Sequence, residues 1–467
     1  MRSTFGGLET TLRAIQAQRL ALDLTGHNIA NTDTPGYSRQ VARTSATDPY
    51  CVPTMNRNTI AGQIGTGVET DMIERMRDEF LDRQIQYENS ALGWWTTRQS
   101  GLEQLEVILQ EPSETGLAAQ LNDFWSKLQE LANRPYDVTV RTPVLETAIT
   151  LSDTIRHTYN QLENYQEDLD KEARILVDRV NSLATQIAQL NKEIVQVTGV
   201  GQNPNDLLDE RELLVQELAE ITNIDVQTNE LDSMTISIGG TLLVSGDSAY
   251  LLTTNDNPAN KGFADIVTTI NGGTVNVSKG KLGGALEMRD NDLNYYLNSL
   301  DNFASTLINE FNTVHRGGYD LDRITGVDFF SGTGAADIRV EITDPRGIAA
   351  SDIDNTEGNG ENAIDLARVI KDETYAATAN TTLSSYYGAM VAKLGVDANK
   401  ADNALTNQDM LINHLFNRQQ SVAGVSLDEE MANMIKFQNS YNAAARMMTT
   451  IDETLDRLIN GMGIVGR

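Results

Sequence analysis

The sequence predicts a mainly α-helical protein with a small inserted β domain, whose long helices form a bundle or coiled coil. Two observations support this fold class. Apolar residues recur at alternating steps of three and four in both halves of the chain, and a short central stretch alternates polar with β-branched residues. The first pattern is the period of a helix that is buried along one face, and the second is that of a half-buried strand. A chain of 467 residues is long enough for about three domains.

The first helix is predicted from an apolar face that begins at Phe5 and continues to Ile29. It should end near Asn28–Asn31, because Thr34-Pro35-Gly36 is typical of a turn in which proline presets φ and glycine accepts a positive φ. Residues from about 38 to 70 show no sustained period, so we expect an extended connector there.

The longest helical signal runs from Ile155 to Val197, where one frame of three- and four-residue steps is almost entirely apolar. A helix of that length extends roughly 64 Å at ~1.5 Å per residue. Apolar residues at flanking positions widen the stripe, which favours packing against more than one helix. Glycines after residue 198 end this helix, and a shorter one is expected from 205 to about 221.

Strands are predicted only in the middle of the chain. Residues 235–238 and 274–278 alternate polar with β-branched side chains, and pairs of glycines separate the short runs. A helix is expected again at about 285–315, followed by a hairpin and loops at 317–360. The last third is expected to be helical from about 374 to 421.

The final helix should open at Ser426, because Ser426 and Glu429 have the spacing of a capping box. Its apolar frame runs from Met431 to Met462. We therefore expect the first and last helices to pair as a discontinuous terminal domain that meets neighbouring subunits. Periodicity alone gives equal weight to the alternative that both helices complete an ordinary bundle.

Three domains follow from these elements. A terminal coiled-coil-like domain comprises 1–60 with 425–467. A helical bundle domain comprises 61–223 with 284–424, and the inserted β domain comprises 224–283.

The charge balance argues against polyanionic partners. The chain has 66 acidic and 36 basic residues, a formal charge of -30, and no stripe of Lys and Arg that could neutralise phosphates. We therefore expect no nucleic-acid partner and no membrane partner. No run approaches the ~20 apolar residues that span a bilayer, and the single cysteine, Cys51, excludes an internal disulfide.

The sequence predicts no catalytic, cofactor-binding or metal site. The four histidines do not form an HExxH motif or an i, i+4 pair. Gly280-Lys281 is followed by Leu282 and not by the Ser or Thr of a phosphate-binding loop. Residues 352–357 begin like a calcium loop but have Glu357 where such a loop requires glycine. We therefore expect a protein that is not an enzyme.

The segment after the first helix resembles a known signature. Asn28-Ile29-Ala30-Asn31, two residues later followed by Thr34-Pro35-Gly36-Tyr37-Ser38-Arg39-Gln40, is similar to the motif of the flagellar rod, hook and hook-associated axial proteins. The Ser38-Arg39-Gln40 extension resembles the hook-associated protein 1 type, which joins hook to filament. Residues 205–214, 280–290, 312–321 and 426–462 also resemble segments of that family. Asp322-Arg323 departs from the family's Asn-Gly, which leaves the turn there open.

This resemblance implies a structural building block of the bacterial flagellum at the hook–filament junction. It implies that subunits self-assemble through their terminal helices and are secreted to the cell exterior by the flagellar type III exporter. The implied partners are further copies of the chain, hook protein, the second hook–filament junction protein and an export chaperone on the C-terminal helix. A hook or distal rod protein is the nearest alternative. An enzyme or ligand-binding module in the β insert is a remote one.

Two sets of residues are candidates for the assembly site. The connector turn contributes one set, for turn geometry: Asn28, Ile29, Asn31, Pro35, Gly36 and Tyr37. The C-terminal helix contributes the other, for helix packing between subunits: Met431, Met434, Tyr441, Met448, Leu455 and Ile459.

Overall fold

A computed structural model describes residues 5–49, 65–111, 113, 116–354, 356 and 358–461. Cys51, Met462 and parts of the two predicted terminal segments lie outside these described residues, as does Glu357 of the calcium-like loop.

The described residues are mainly helical, which confirms the predicted fold class. The helices are α1 (Gly6–Ala30), α2 (Glu79–Leu109), α3 (Leu117–Asn133), α4 (Val138–Thr198), α5 (Asn205–Ile221), α6 (Gly280–Glu287), α7 (Leu293–Gly317), α8 (Glu361–Lys371), α9 (Leu383–Ala423) and α10 (Leu427–Gly461). A π-helical turn, Met288–Asp292, joins α6 to α7.

Short antiparallel strands make up the β structure. They are β1 (Gln40–Ala46), β2 (Val68–Arg75), β3 (Asp225–Thr228), β4 (Met234–Ile238), β5 (Thr241–Ser245), β6 (Ser248–Ala249), β7 (Leu252–Asp256), β8 (Ala264–Thr268), β9 (Phe330–Ser331) and β10 (Arg339–Val340). The inserted β unit contains a four-stranded sheet in the order β3-β4-β5-β6 and the separate pair β7-β8. The expected extended connector contains β1 and the start of β2, and these two strands pair with each other.

Helix α4 contributes to both large apolar cores of the protein. It begins at Val138, earlier than the apolar frame from Ile155 predicts. Asp137 caps its N-terminus by accepting a hydrogen bond from the backbone N–H of Thr139 at 3.0 Å. The first half of α4 lies in a large apolar core with α2, α3, α7, α8 and the start of α9. Its second half forms another core with α5 and the β insert. The two flanking cores explain why the stripe on α4 is wider than a two-stranded coiled coil requires.

Two features of the fold were not predicted from periodicity. Helices α2 and α3 were placed in a bundle only through the domain assignment. The apolar frame of α2 is interrupted by polar residues and glycines, whereas α3 has a regular frame that was overlooked, namely Leu117, Leu121, Phe124, Leu128 and Leu131. Helix α9 begins at Leu383, later than expected, because Ala379 and Asn380 have φ values of 55° and 60°. A positive φ at a non-glycine residue is incompatible with a continuing right-handed helix.

The Asp322-Arg323 turn is formed without the Asn-Gly pair. Arg323 adopts a φ of 63°, and the Asp320 carboxylate accepts the backbone N–H groups of Asp322 and Ile324 at 2.8 and 2.7 Å. Arg346 forms an ion pair with Asp322 at 2.5 Å. These side-chain contacts hydrogen-bond the backbone of the turn and stabilise a positive φ that a glycine would adopt more easily.

A candidate assembly site where the terminal helices meet the helical body

Helices α1 and α10 pack along each other, and we call them the terminal helix pair. Gly7 lies opposite Ile451, and a Cβ at Gly7 would lie 3.3 Å from the Ile451 Cδ1 atom. Most of the predicted apolar face of α1 is half-buried, but Phe5 and Leu12 remain exposed. None of the apolar clusters found among the described residues includes a residue of α1 or α10.

The predicted apolar stripe of α10 divides into two rows. Leu455 is buried, and Met434, Tyr441 and Met448 are half-buried. By contrast, Met431 is 57% exposed and Ile459 is 67% exposed. Other large apolar residues of α10 are also exposed, namely Leu427, Ile435, Met447 and Leu458. Met434, Tyr441, Met448 and Leu455 are therefore covered within the chain, whereas Met431 and Ile459 of the predicted stripe face outward. We call Leu427, Met431, Ile435 and Ile459 the outward row, because Met447 and Leu458 lie on a different side of the helix.

Asn28, at the end of α1, is fully hydrogen-bonded by its surroundings and is 2% exposed. Its amide nitrogen donates to the Gln40 carbonyl at 3.0 Å and to the Glu430 carboxylate at 3.1 Å. Its amide oxygen accepts from the Tyr37 hydroxyl at 2.8 Å and from the Gln40 N–H at 3.0 Å. An amide side chain provides both the donors and the acceptors that this position uses, which a carboxylate or an aliphatic side chain would not.

Glu430, in the first turn of α10, is held by the same turn segment. Its carboxylate accepts from the Arg39 guanidinium at 2.8 Å and from Asn28, and its side chain is 3% exposed. Arg39 also contacts Glu429 at 3.3 Å. We call Asn28, Arg39 and Glu430 the Glu430 cluster. It joins α10 to the end of α1 and to the residues that follow it.

Asp209, in α5, binds the other side of the turn. Its two carboxylate oxygens accept from the Ser38 N–H and the Ser38 hydroxyl, each at 2.8 Å. The guanidinium groups of Arg75 and Arg77 lie 2.8 and 3.4 Å from the same carboxylate. We call Ser38, Arg75, Arg77 and Asp209 the Asp209 cluster. It joins the connector turn and β2 to α5.

Further polar contacts extend this junction along α5 and to α9. Gln40 donates to Asp206 at 2.7 Å and accepts from Asn205 at 3.2 Å. Arg77 forms two hydrogen bonds with Asp82, at 2.9 and 3.0 Å, and Gln419 of α9 donates to the same carboxylate at 2.6 Å. The connector turn, α5, α2 and α9 are therefore connected through polar side chains.

The electrostatics of the junction follow from this burial. Burial raises the pKa of the Tyr37 hydroxyl, and the nearby carboxylates of Asp206, Asp209 and Glu430 raise it further. Tyr37 therefore stays a neutral donor to Asn28. Burial alone would lower the pKa of the Arg77 guanidinium, but its hydrogen bond to Asp82 and the nearby carboxylates outweigh this, so its pKa lies above the ordinary value.

The remaining predicted turn residues have smaller roles in the geometry. Asn31 donates to the His27 carbonyl at 3.0 Å and accepts from the Thr34 hydroxyl at 3.1 Å. Gly36 has a φ of 79°, and a Cβ there would lie 3.4 Å from the Leu213 Cβ atom. Pro35 is exposed and Ile29 is half-buried. The structure thus brings Asn28 and Tyr37 into direct contact and places the other four residues around them.

Sequence reasoning missed Ser38, Arg75, Arg77, Asp209 and Glu430 as site residues. Ser38 and Asp209 both lie in segments with a recognisable resemblance, which is a signal that could have paired them. Arg75, Arg77 and Glu430 have no such signal, because charged residues are common in a chain of this composition.

The described residues hold no group of three or more His, Cys, Asp or Glu side chains placed to bind a metal ion. No helix among them is both long and apolar enough to span a membrane.

Comparisons with known protein families match three parts of the chain. The model of the flagellar hook-associated protein FlgK helical domain matches residues 102–330. The flagella basal body rod protein model matches residues 8–37, and the flagellar basal body rod FlgEFG protein C-terminal model matches residues 419–461. The two rod-type matches contain α10, α1 from Leu8 onward, and the turn up to Tyr37.

Curated relatives match over the whole chain. Flagellar hook-associated protein 1 of Bacillus subtilis is 36% identical, with all of both chains covered. The protein of that name in Escherichia coli is 25% identical, over 97% of this chain and 99% of its own. The solved structure of the flagellar hook junction protein FlgK from Burkholderia pseudomallei has a TM-score of 0.64 at 16% identity, covering 73% of this chain and all of its own. This last likeness concerns the fold alone.

Proposed function

The chain belongs to the flagellar hook-associated protein 1 family, and we propose that it joins hook to filament by self-assembly through the outward row of its terminal helix pair. The family is structural and not enzymatic, so the chain is a building block of the flagellum. What is proposed is the surface that assembles, the residues that form it and the partners on either side.

The observation that carries this proposal is the exposed apolar row of α10. Leu427, Met431 and Ile435 follow one another at four-residue spacing, which places them on one face of the helix, and they are 48%, 57% and 57% exposed. Ile459 is also exposed and lies near the other end of the helix, apart from these three residues. Clustered large apolar side chains on an otherwise strongly acidic surface mark a protein–protein contact. We propose that a second copy of the chain covers these residues when the protein self-assembles.

The two predicted residue sets then have different roles. We propose that Met431 and Ile459 contact neighbouring subunits, while Met434, Tyr441, Met448 and Leu455 hold α10 on α1 inside one subunit. The turn residues Asn28, Ile29, Asn31, Pro35, Gly36 and Tyr37 would set the path of the chain between the terminal helix pair and the rest of the molecule.

The same evidence supports the proposed division into 1–60 with 425–467, 61–223 with 284–424, and 224–283. The boundary at 424/425 falls in the short link between α9 and α10, and that at 223/224 falls between α5 and β3. The hairpin β1–β2 straddles residue 60, and α6 straddles residue 283. The terminal unit is distinguished by its polar junction. The apolar core of the β insert also includes the second half of α4 and α5, so it crosses the proposed boundary at 223/224.

Within the flagellum, we propose hook protein on one side of the assembled chain and the second hook–filament junction protein on the other. We further propose that the chain is exported to the cell exterior and that an export chaperone covers α10 beforehand. The exposed row of α10 supports a covering partner, because such a row would otherwise promote premature association.

Complementation of a strain that lacks hook-associated protein 1 tests the proposed surface. We expect Met431→Asp to abolish filament growth while the purified monomer keeps its melting temperature, because the side chain is exposed. Asn442→Asp is the matched control, since it adds one negative charge to an exposed position of the same helix. Normal filaments from Met431→Asp cells would show that the outward row is not the assembly surface.

A further inference from the structure

We propose that Asp209 is the positioning residue that fixes the orientation of the terminal helix pair on α2–α9, which we call the helical body. The inference rests on the proposed function, because orientation matters only if the terminal helix pair assembles with other subunits. The inference also gives a role to α5. Residues 205–214 of this helix resemble the family, but they are not part of the proposed assembly surface.

The Asp209 carboxylate is held by several short hydrogen bonds where the terminal helix pair and its turn meet the helical body. We call this contact region the joint. The carboxylate accepts hydrogen bonds from the Ser38 N–H, the Ser38 hydroxyl and the Arg75 guanidinium, all at 2.8 Å, and lies 3.4 Å from Arg77. The side chains of Asp209, Arg75 and Arg77 are 7%, 16% and 10% exposed. Charge-assisted hydrogen bonds that are shielded from water are short and strongly directional, so several of them on one carboxylate restrict rotation as well as separation.

Among the described residues, no apolar cluster provides an alternative restraint across this joint. The clusters found among the described residues lie within the helical body and leave out α1 and α10. What else crosses the joint is mainly polar. Gln40 binds Asn205 and Asp206, and His27 lies 3.5 Å from the Asp206 carboxylate. The Ile73 carbonyl accepts from Asn203 and Asn205, Arg77 binds Asp82, and the Arg39 N–H donates to the Ala423 carbonyl at 2.8 Å. Interfaces that are small and polar leave relative motion as the default. Asp209 accepts four hydrogen bonds across the joint, more than Asp82 or Asp206 does, so its contribution to the orientation should be the largest.

The Glu430 cluster does not span this joint. Glu430 joins α10 to Asn28 and Arg39, so its bonds connect the terminal helix pair to its own turn. Asp209, by contrast, belongs to the helical body and binds that turn from outside. The two carboxylates therefore have different roles, since Glu430 holds the terminal unit together and Asp209 holds that unit on the body.

The family comparisons divide at the same place. Helix α1 from Leu8, the turn up to Tyr37 and the whole described part of α10 fall in rod-type matches, whereas Asp209 falls in the match to the hook-associated helical domain. Asp209 is therefore positioned to connect a terminal unit that matches the rod proteins to a helical body that matches the hook-associated proteins.

Distance measurements between spin labels on the full-length chain test the proposal. One label replaces Asp23 on α1 and the other replaces Thr185 on α4, both exposed positions, after Cys51→Ser removes the single native cysteine. We expect one narrow distance distribution in the parent protein. Asp209→Asn should convert it to a broad one, while the melting temperature of the helical body stays unchanged.

Two variants distinguish positioning from general destabilisation. Glu430→Gln should leave the narrow distribution intact, because its bonds do not cross the joint. Glu210→Gln, the exposed neighbour of Asp209 on α5, should also leave it intact. If Asp209→Asn does not fold, Ser38→Ala removes one of the two Ser38 hydrogen bonds and should give an intermediate broadening.

A broad distribution in the parent protein, or a narrow one in Asp209→Asn, would overturn the inference. So would equal broadening in Asp209→Asn and Glu430→Gln, since the two carboxylates would then act alike. These outcomes are separate from those for the proposed function, because Met431→Asp should abolish filament growth without moving the label distance. Normal filaments from Met431→Asp cells together with broadening in Asp209→Asn would therefore remove the assembly surface and leave the positioning intact.

Discussion

Replacing Asn28 with alanine should loosen the whole junction, because one side chain completes four hydrogen bonds there. Two of these go to the backbone of Gln40, one comes from Tyr37 and one goes to Glu430. A hydrogen bond contributes about 1 kcal/mol net, and leaving a buried partner unsatisfied costs about 1–3 kcal/mol. Glu430 keeps Arg39 as a partner, whereas the Gln40 N–H loses the acceptor on Asn28. We expect a loss of about 2–4 kcal/mol in local stability.

The loss should be local, because Asn28 touches no apolar cluster of the helical body. Native-state hydrogen exchange measures it directly. The Gln40 amide donates to Asn28, so its exchange reports the opening of the junction. We expect this amide to exchange on the order of 30- to 1000-fold faster in Asn28→Ala, the factor that corresponds to the free energy above. Amides in the middle of α4 should keep their protection.

Asn31→Ala is the matched control for this experiment. Asn31 is also an asparagine of the turn, but its bonds reach only His27 and Thr34 within the same turn. Its replacement should accelerate the Gln40 amide much less. Equal acceleration in both variants would refute the reasoning, because the effect would then come from the turn in general and not from the four bonds of Asn28.

Three further outcomes follow from burial and backbone geometry. Burial raises the pKa of the Glu212 carboxyl, and within the described residues its Oε2 atom has no hydrogen-bond partner. At pH values above the unfolded pKa of about 4.3, the charged carboxylate therefore lowers the free energy of unfolding. Glu212→Gln should raise the free energy of unfolding by about 1 kcal/mol at neutral pH and by nothing below about pH 4, whereas Glu210→Gln should change neither value in urea titrations. Burial lowers the pKa of His315, whose Nε2 accepts the Ala349 N–H at 2.9 Å, so only the unfolded state gains a proton as pH falls below about 6.5. Stability should therefore decline from pH 7 to 5 in the parent chain, and this decline should be shallower in His315→Asn. Gly36→Ala should cost about 1 kcal/mol, because an L side chain at a φ of 79° is strained, and a melting temperature equal to that of the parent chain would contradict this.

The long helices could be predicted from the sequence because their burial is periodic. The frame from Ile155 to Val197 has the period of a buried helix face, and the structure confirms a helix there. Its early start at Val138 was missed, although Val144, Ala148 and Leu151 continue the apolar frame toward the N-terminus. Pro143 lies in the same segment, and proline lowers helix propensity. The β insert was found by its change of period. The pairing of β1 with β2 was not, because those strands bury too little on either face to alternate regularly.

The candidate site could be predicted only in part, and the reason is physical. Tyr37 and Asn28 lie nine residues apart, within the reach of a local motif, so the sequence placed them together. Asp209 and Glu430 reach the same turn from 171 and 391 residues away. A carboxylate that binds a distant turn leaves no period and no composition signal, because its partners are fixed only by how the helices pack.

The covered and outward rows of α10 likewise differ in how far the sequence predicts them. The covered row follows the helical period closely enough to be predicted, yet periodicity assigned Met431 and Leu455 to one stripe although they face different surroundings. Apolar character shows that a side chain will be covered and does not show by which chain. The polar residues of the junction supply the missing information, since Glu430 fixes which face of α10 meets α1. With that face fixed, the outward row remains uncovered within the chain and is the surface that we propose for a second subunit. In that proposal, the direction in which the row points depends on how Asp209 holds the turn on the helical body.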